Sequence, residues 1–170
     1  MILVTIGTNE QPFDRLVRAA AQLGGNEPLL VQYGASRVPH GRGEWVDFLP
    51  FEVLAARARE ARVVVCHAGV GSIMLARRHG HRAVVVPRRH HLGEAVDDHQ
   101  LPLARRLARA GVVTLLEDEA MLAHALAEPE GASAPSDAPA GSLSGVDALS
   151  GEVRAMVAGL GAARISERAA

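Results

Sequence analysis

The sequence predicts an α/β domain in which a parallel sheet is covered by helices on both faces. Short runs that are apolar throughout, such as Ile2 to Ile6 and Val63 to Cys66, alternate with segments whose apolar residues recur three or four positions apart. Strands without polar alternation are typical of sheets buried on both faces, and strand–helix alternation is typical of parallel sheets. A chain of 170 residues is long enough for one such domain.

The apolar runs predict six strands, at residues 2–6, 29–33, 45–49, 63–66, 83–86 and 112–116. Helical spacing predicts five helices, at residues 13–23, 51–61, 71–79, 97–110 and 117–126. Ligands of parallel sheets bind at the carboxyl ends of the strands. We therefore expect a site in the turns after Ile6, Cys66, Val86 and Leu116.

The domain is predicted to span residues 1–127. Residues 128–145 are dominated by Ala, Pro, Gly and Ser without periodicity, which predicts a flexible linker. In residues 146–170 an apolar stripe, from Val146 to Leu160, predicts a C-terminal helix. Two interpretations stay open: the helix folds back onto the domain, or it is offered to a partner.

Composition excludes several classes of function. The formal net charge of −1 gives no sign of a nucleic-acid partner. Cys66 is the only cysteine, so no disulfide can form within the chain, which fits a reducing cytosol. No apolar run approaches the ~20 residues needed to span a bilayer, and the first residues lack the features of a signal peptide. We expect a cytoplasmic protein without a membrane span, and docking on a membrane protein stays open.

A small-residue turn, Gly7-Thr8-Asn9, follows the first predicted strand. Such a turn lets a ligand approach the backbone, and Thr8 and Asn9 can donate or accept hydrogen bonds. The alternative is an ordinary strand-to-helix turn in which one of these two residues caps the helix.

A second turn, His67-Ala68-Gly69-Val70-Gly71-Ser72, places two glycines and a serine between a buried strand and a helix. Free backbone N–H groups and the helix dipole make such a place an anion site. Gly69 and Gly71 would let a diphosphate reach the backbone, and Ser72 would add a hydroxyl. The alternative is that Ser72 only caps the helix and that His67 fills the strand end.

A third segment, residues 87–100, follows the predicted strand at 83–86 and is dense in polar groups. Arg88 can face a phosphate, while Glu94, Asp98 and Gln100 can hold sugar or ribose hydroxyls. A metal site is an alternative because the segment contains ligand types, although no established metal-binding spacing is present. Those ligand types are His90, His91, Glu94, Asp98 and His99.

Together these segments, "MILVTIGTNEQPFDRLV", "VVCHAGVGSIMLARRHG" and "VVVPRRHHLGEAVDDHQLPLARRL", resemble the PssE/EpsE-type glycosyltransferase subunits of bacterial polysaccharide synthesis. Those subunits are related to the C-terminal half of MurG and to the small subunit of the eukaryotic dolichol-linked GlcNAc transferase. The resemblance covers residues 1–116. It implies a Rossmann-like fold equivalent to the C-terminal, donor-binding half of a GT-B glycosyltransferase.

The resemblance also implies an activity, which is sugar transfer from a UDP-sugar to a lipid-linked acceptor. The acceptor-binding half would come from a membrane-anchored partner subunit at the inner face of the cell membrane. The turns at 7–9 and 67–72 would face the donor diphosphate, and Asp98, His99 and Gln100 would contact the sugar, with Glu94 nearby. No metal and no cofactor are implied. His67 is the one candidate for a catalytic base, although the partner can also supply it.

One position departs from the wider family. MurG-like relatives usually carry a ribose-binding Glu three residues after the serine of the second turn, and here that residue is Leu75. The PssE-type branch resembles this sequence better at that point. A functional alternative is a non-catalytic protein that binds nucleotide sugars or acts as a scaffold.

Overall fold

Six strands form a single parallel sheet in a computed structural model that describes residues 1–38 and 40–127. The predicted linker at 128–145 and the predicted helix at 146–170 lie outside the described residues. The strands are β1 (Ile2–Thr5), β2 (Leu29–Gln32), β3 (Glu44–Val46), β4 (Val63–His67), β5 (Val84–Val86) and β6 (Thr114–Leu115).

The strand order is β3-β2-β1-β4-β5-β6, so the order reverses beside β1. There Ile2 pairs with Leu29 of β2 on one side and with Val63 of β4 on the other. In doubly wound folds this reversal opens a crevice at the carboxyl ends of the two central strands. The predicted Rossmann-like α/β fold is confirmed, and it places the crevice between the turns that follow β1 and β4.

Five α-helices connect the strands. They are α1 (Asp14–Ala21), α2 (Phe51–Glu60), α3 (Val70–Arg78), α4 (Gln100–Arg109) and α5 (Leu122–Ala127). Two short 3₁₀ helices, His90–Leu92 and Glu119–Met121, follow β5 and β6.

Two predicted helices begin later than their sequence pattern indicated. Helix α4 begins at Gln100 and not at Asp97, because the Asp97 carboxylate accepts a hydrogen bond from the His99 N–H at 3.1 Å and so forms a turn. The segment predicted as a helix over 117–126 contains a 3₁₀ helix first, with the Asp118 carboxylate accepting from the Ala120 N–H at 3.0 Å. Helix α5 follows from Leu122.

The sheet has an apolar core on each face. On one face Leu3, Val64 and Val85 pack against helices α2, α3 and α4. On the other face Val4 and Val65 pack against helices α1 and α5. This alternation explains why the strands are apolar throughout: successive side chains of one strand enter opposite cores.

Within residues 1–38 and 40–127, none of the helices is long and apolar enough to cross a membrane.

Candidate functional site

The turns after β1 and β4 meet at the point where the strand order reverses. Gly7 follows β1 and has a φ of +75°, a left-handed conformation that favours glycine. A Cβ atom on Gly7 would lie 2.5 Å from Cε1 of His67, the last residue of β4. The structure therefore brings together two of the three segments that the sequence singled out.

The imidazole of His67 lies between two glycines. A Cβ atom on Gly69 would lie 2.1 Å from Nε2 of His67, so any side chain there would collide with the ring. We expected Gly69 to give a ligand access to the backbone. Its contact with His67 supplies a different physical reason for glycine at position 69.

Gly71 has the open surroundings expected beside a ligand. It is exposed in the first turn of α3, and a Cβ atom on it would meet nothing within 4 Å. The first backbone hydrogen bond of the helix joins the Ile73 N–H to the Gly69 carbonyl at 3.1 Å. The N–H groups of Val70, Gly71 and Ser72 precede that bond and have no partner within the helix. Free N–H groups at the start of a helix can bind an anion, which is the role that the sequence predicted for this turn.

The suggestion that Ser72 caps α3 is wrong. Gly69 occupies the N-cap position with an extended backbone, φ −79° and ψ 131°, and no side chain caps the helix. Ser72 is the third residue of the helix and is half-buried. Ala68 is buried beneath the same turn.

His67 carries a neutral imidazole at pH 7. Burial, with a smaller contribution from the positive charge of Arg88, lowers the pKa of His67 to about 4. The Nδ1 atom is buried and has no hydrogen-bond partner among the described residues. The ring is therefore in the unprotonated form that a general base requires, although its affinity for a proton near pH 7 is low.

The expectation that Arg88 faces a phosphate is wrong. The side chain is fully buried at 0% exposure. Its Nη1 donates to the carbonyls of Gln11 and Glu94, both at 2.8 Å, and its Nη2 donates to the carbonyl of Ile6 at 2.9 Å. The guanidinium also lies over the ring of Phe13, 4.7 Å from its centroid. Arg88 therefore holds the backbone of the β1 turn in place.

The expectation that Glu94 holds sugar hydroxyls is also wrong, because both of its carboxylate oxygens are occupied in a buried position. Oε1 accepts from Nε of Arg15 at 2.7 Å, and Oε2 accepts from the backbone N–H of Arg89 at 2.9 Å. Arg15 also pairs with Glu119 at 2.7 Å and donates to the carbonyl of Pro87. Sequence reasoning missed Arg15, since a charged residue on an amphipathic helix gives no local sign of partners 79 and 104 positions away.

The three residues expected at the donor sugar differ in accessibility. Gln100 is buried, and its side-chain oxygen accepts from the backbone N–H of Arg88 at 3.1 Å. His99 is half-buried and contacts the carboxylate of Asp97. Asp98 is exposed and accepts from the His90 N–H at 3.0 Å.

Asp98 borders an open groove of about 420 Å³ at the carboxyl ends of β5 and β6. Arg89, His91, Arg105 and Glu117 contribute the other polar side chains of the groove. Arg105 and Glu117 pair at 2.7 Å across it, and this pairing lowers the pKa of the Glu117 carboxyl. The groove offers room for a ligand beside Asp98, a residue that the sequence predicted at the site.

Thr8 and Asn9 are exposed beside the crevice. The Asn9 side chain accepts from the Gln11 N–H at 3.0 Å, which fixes the turn locally and leaves Thr8 without such a role. Leu75 points into the core on α3 and is buried, so that position has no access to a ribose.

The described residues contain no group of three or more His, Cys, Asp or Glu side chains arranged to hold a metal ion. The histidines of the third segment, His90, His91 and His99, therefore do not converge with the neighbouring carboxylates. Cys66 is buried in the strand, and burial raises the pKa of its thiol to about 12, so it behaves as an apolar residue.

Comparisons with known proteins bear on the fold and the family of the chain. No curated protein matches the chain. Among solved structures, the chain is similar to the crystal structure of CalG4, the calicheamicin glycosyltransferase, with a TM-score of 0.51 and 18% identity. The similarity covers 99% of this chain and only 40% of that chain, and at this identity it shows the fold alone. Residues 1–129 match the model of the glycosyltransferase family 28 C-terminal domain. The chain therefore belongs to the glycosyltransferase family 28 C-terminal domain family.

Proposed function

We propose that the protein is the donor-binding, catalytic subunit of a two-component glycosyltransferase of the PssE/EpsE type. It would transfer a sugar from a UDP-sugar to a lipid-linked acceptor in polysaccharide synthesis, in the cytoplasm at the inner face of the cell membrane. The observation that carries the proposal is the open amino end of α3 at Gly71, which lies at the reversal of strand order in a family 28 domain.

The donor diphosphate would lie against the N–H groups of Gly71 and Ser72, with the Gly7 turn beside it. Transfer of the sugar leaves UDP with additional negative charge on the diphosphate. The positive end of the helix dipole stabilises that charge, and fixed backbone donors need no reorganisation during the reaction. The chemistry then requires no metal ion and no cofactor.

His67 would act in this site as a positioning residue. Its ring contacts the turns of both central strands, and its pKa of about 4 makes it a poor acceptor for the proton of a sugar hydroxyl at pH 7. We infer that the partner subunit supplies the general base. The expectation that His67 performs acid–base catalysis stays a prediction beside this assignment.

The distribution of exposed apolar side chains supports a partner at the same edge. Six large apolar residues are exposed in the described part of the chain, and all of them follow the carboxyl end of a strand. After β3 come Phe48, Phe51 and Val53; after β5 come Leu92 and Val96; after β6 comes Met121. Exposed apolar groups gathered around a site are typical of protein–protein contacts. The chain also spans only 40% of the similar glycosyltransferase chain.

Titration of the full-length protein with UDP and a panel of UDP-sugars by calorimetry tests the donor site. The variant Gly71→Val would place a branched side chain over the open N–H groups, and we expect it to weaken UDP binding about 100-fold or more with little change in stability. A shift of that size corresponds to about 2.7 kcal/mol.

Gly24→Val is the matched control. A Cβ atom on Gly24 also meets nothing within 4 Å, and Gly24 lies between α1 and β2, at the opposite edge of the sheet. We expect this variant to bind UDP as the natural protein does. Absence of UDP binding in the natural protein, alone and with a partner, would contradict the proposal. Equal binding by the Gly71→Val variant would contradict the assignment of the site.

The alternative function, a non-catalytic nucleotide-sugar-binding or scaffold protein, predicts the same binding. Turnover separates the two. Co-expression with a membrane-anchored acceptor-binding subunit should give transfer of labelled sugar to lipid, and Gly71→Val should abolish it. Binding without transfer in the assembled complex would favour the scaffold.

A further inference from the structure

The edge of the sheet opposite the donor site carries a group of basic side chains. Helices α2 and α3 both end there, because each runs back from the carboxyl edge to the amino edge. The group consists of Arg59, Arg77, Arg78 and Arg82 with His79 and His81, and we call it the basic corner. His81 joins its two halves, since its Nε2 lies 2.7 Å from the carbonyl of Ala58 at the end of α2.

The four arginines of the basic corner have no acidic partners in the described part of the chain. The nearest carboxylate along α2 belongs to Glu60, which lies 3.7 Å from Arg57 and pairs with it. The Nε atom of Arg82 and the Nε2 atom of His79 are buried without a hydrogen-bond partner among the described residues. The corner therefore holds positive charge that the domain itself does not neutralise.

The surroundings of His79 reflect this excess of charge. Burial lowers the pKa of His79, and the charges of Arg78, His81 and Arg59 lower it further. The guanidinium groups of Arg59 and Arg78 therefore lie close enough to act on one imidazole.

The last described residues, at the end of α5, lie at the same amino edge of the sheet as the basic corner. Arg62, which precedes β4, lies beside the end of α5, with its Nη2 3.4 Å from the carbonyl of Leu126. Residues 128–152 follow directly and contain five acidic residues and no basic one. They are Glu128, Glu130, Asp137, Asp147 and Glu152. An extended residue spans at most about 3.5 Å, so four residues of chain reach at most about 14 Å from Leu126.

We propose that the acidic segment 128–152 binds the basic corner of its own domain. Charge complementarity and the position of the chain exit carry the proposal, and neither depends on the donor site. Such binding would hold this segment at the amino edge of the sheet. It would also fix where residues 146–170 begin relative to the domain.

A spin label on the full-length protein tests the proposal. The substitution Ser144→Cys gives a single accessible thiol, because Cys66 is buried and its thiol is unreactive. Paramagnetic broadening is then measured for the backbone amides of Gly80 and His81 at the corner and of Thr8 at the opposite edge. We expect broadening at the corner that exceeds that at Thr8, and that falls severalfold at about 1 M salt, where the screening length is about 3 Å.

Two sets of variants remove the charges separately. Arg59→Glu with Arg78→Glu reverses two exposed charges of the corner. Replacing the five carboxylates of the segment by amides leaves the folded domain untouched. Each change should reduce the broadening at the corner to the level at Thr8. Arg37→Glu, at an exposed arginine after β2, is the matched control and should leave the broadening unchanged.

Three results would overturn the proposal. The first is equal broadening at the corner and at Thr8 in the natural protein. The second is broadening at the corner that stays the same in both sets of variants. The third is unchanged broadening in the Arg59→Glu, Arg78→Glu variant together with loss of its binding to phosphatidylglycerol vesicles. In that case the corner binds an anionic lipid surface and not the chain's own segment.

Discussion

The two edges of the sheet use arginine in opposite ways. At the carboxyl edge Arg15 and Arg88 are bound to carboxylates and backbone carbonyls of the same domain. At the amino edge Arg59 and Arg78 are exposed and have no acidic partner in the part of the chain that the structure describes. The two arginines next to the proposed site therefore stabilise the fold. The two arginines at the opposite edge are accessible to a ligand.

This difference shows that a charged side chain close to a ligand site need not be able to contact the ligand. In the crevice the open groups are uncharged backbone N–H groups at Gly71, while the buried ions beneath them hold the turns in position. Fixed backbone donors bind an anion without the loss of side-chain freedom that an exposed arginine incurs. We expect four variants, taken from the largest effect to the smallest, to test this contrast.

Removing the buried arginine should have the largest effect. Arg88→Met keeps much of the side chain's volume and leaves the carbonyls of Ile6, Gln11 and Glu94 without their donor. Breaking a buried charged network typically costs about 3–5 kcal/mol, and we expect that loss in the free energy of unfolding measured with urea.

Arg37→Met provides the comparison for this variant, because Arg37 is exposed after β2. Its effect on the free energy of unfolding should stay within about 0.5 kcal/mol. If Arg88→Met proves equally mild, the guanidinium is not what holds the β1 turn.

The second effect depends on pH and concerns His67. Its pKa is about 4 in the folded protein, against 6.5 for an unperturbed histidine. The unfolded chain therefore binds a proton first as the pH falls. The stabilising contribution is complete above pH 6.5 and is lost as the pH falls towards 4. The shift corresponds to about 3 kcal/mol.

The free energy of unfolding is measured against pH for the natural protein and for a His67→Asn variant, and the two profiles are subtracted. Carboxylates with lowered pKa values also lose their stabilising contribution as the pH falls, but they do so in both proteins. The difference therefore isolates the contribution of His67. Glu27 is one of these carboxylates, with a pKa of about 2 caused mainly by Arg62. Parallel profiles for the two proteins between pH 6.5 and 4 would show that His67 is not buried in neutral form.

The sequence predicted the architecture well and the partners of its polar residues poorly. Strands and helices follow from local periodicity, so the sheet, its two covered faces and the crevice between the turns at Gly7 and Gly69 could be anticipated. The burial of Arg88 and the pairing of Glu94 with Arg15 depend on contacts between distant parts of the chain. A run of polar residues after a strand looks the same whether its side chains face a ligand or the interior.

The third effect tests why position 69 is glycine. Its φ of −79° suits any residue, so Gly69→Ala introduces no backbone strain and only the contact with His67, where the added Cβ would lie 2.1 Å from Nε2. Overpacking of this kind costs about 1–3 kcal/mol. Adding His67→Ala should relieve the collision, so the two substitutions should be strongly non-additive in a double-mutant cycle of unfolding free energies. Additive effects would mean that glycine serves another purpose there.

The smallest effect should come from the amino edge. Arg78 lies in the last turn of α3, where a positive charge gains about 0.3–1 kcal/mol from the helix dipole, while the like charge of Arg59, which acts on the same His79 ring, opposes it. These terms oppose each other, so Arg78→Gln should change the free energy of unfolding by less than about 0.5 kcal/mol. Urea denaturation at low salt checks this value. A loss above about 1 kcal/mol would mean that Arg78 has a strongly stabilising acidic partner, and the acidic segment 128–152 proposed above is the candidate. The same measurement on the protein with those five carboxylates replaced by amides would then identify the partner, because the loss should disappear.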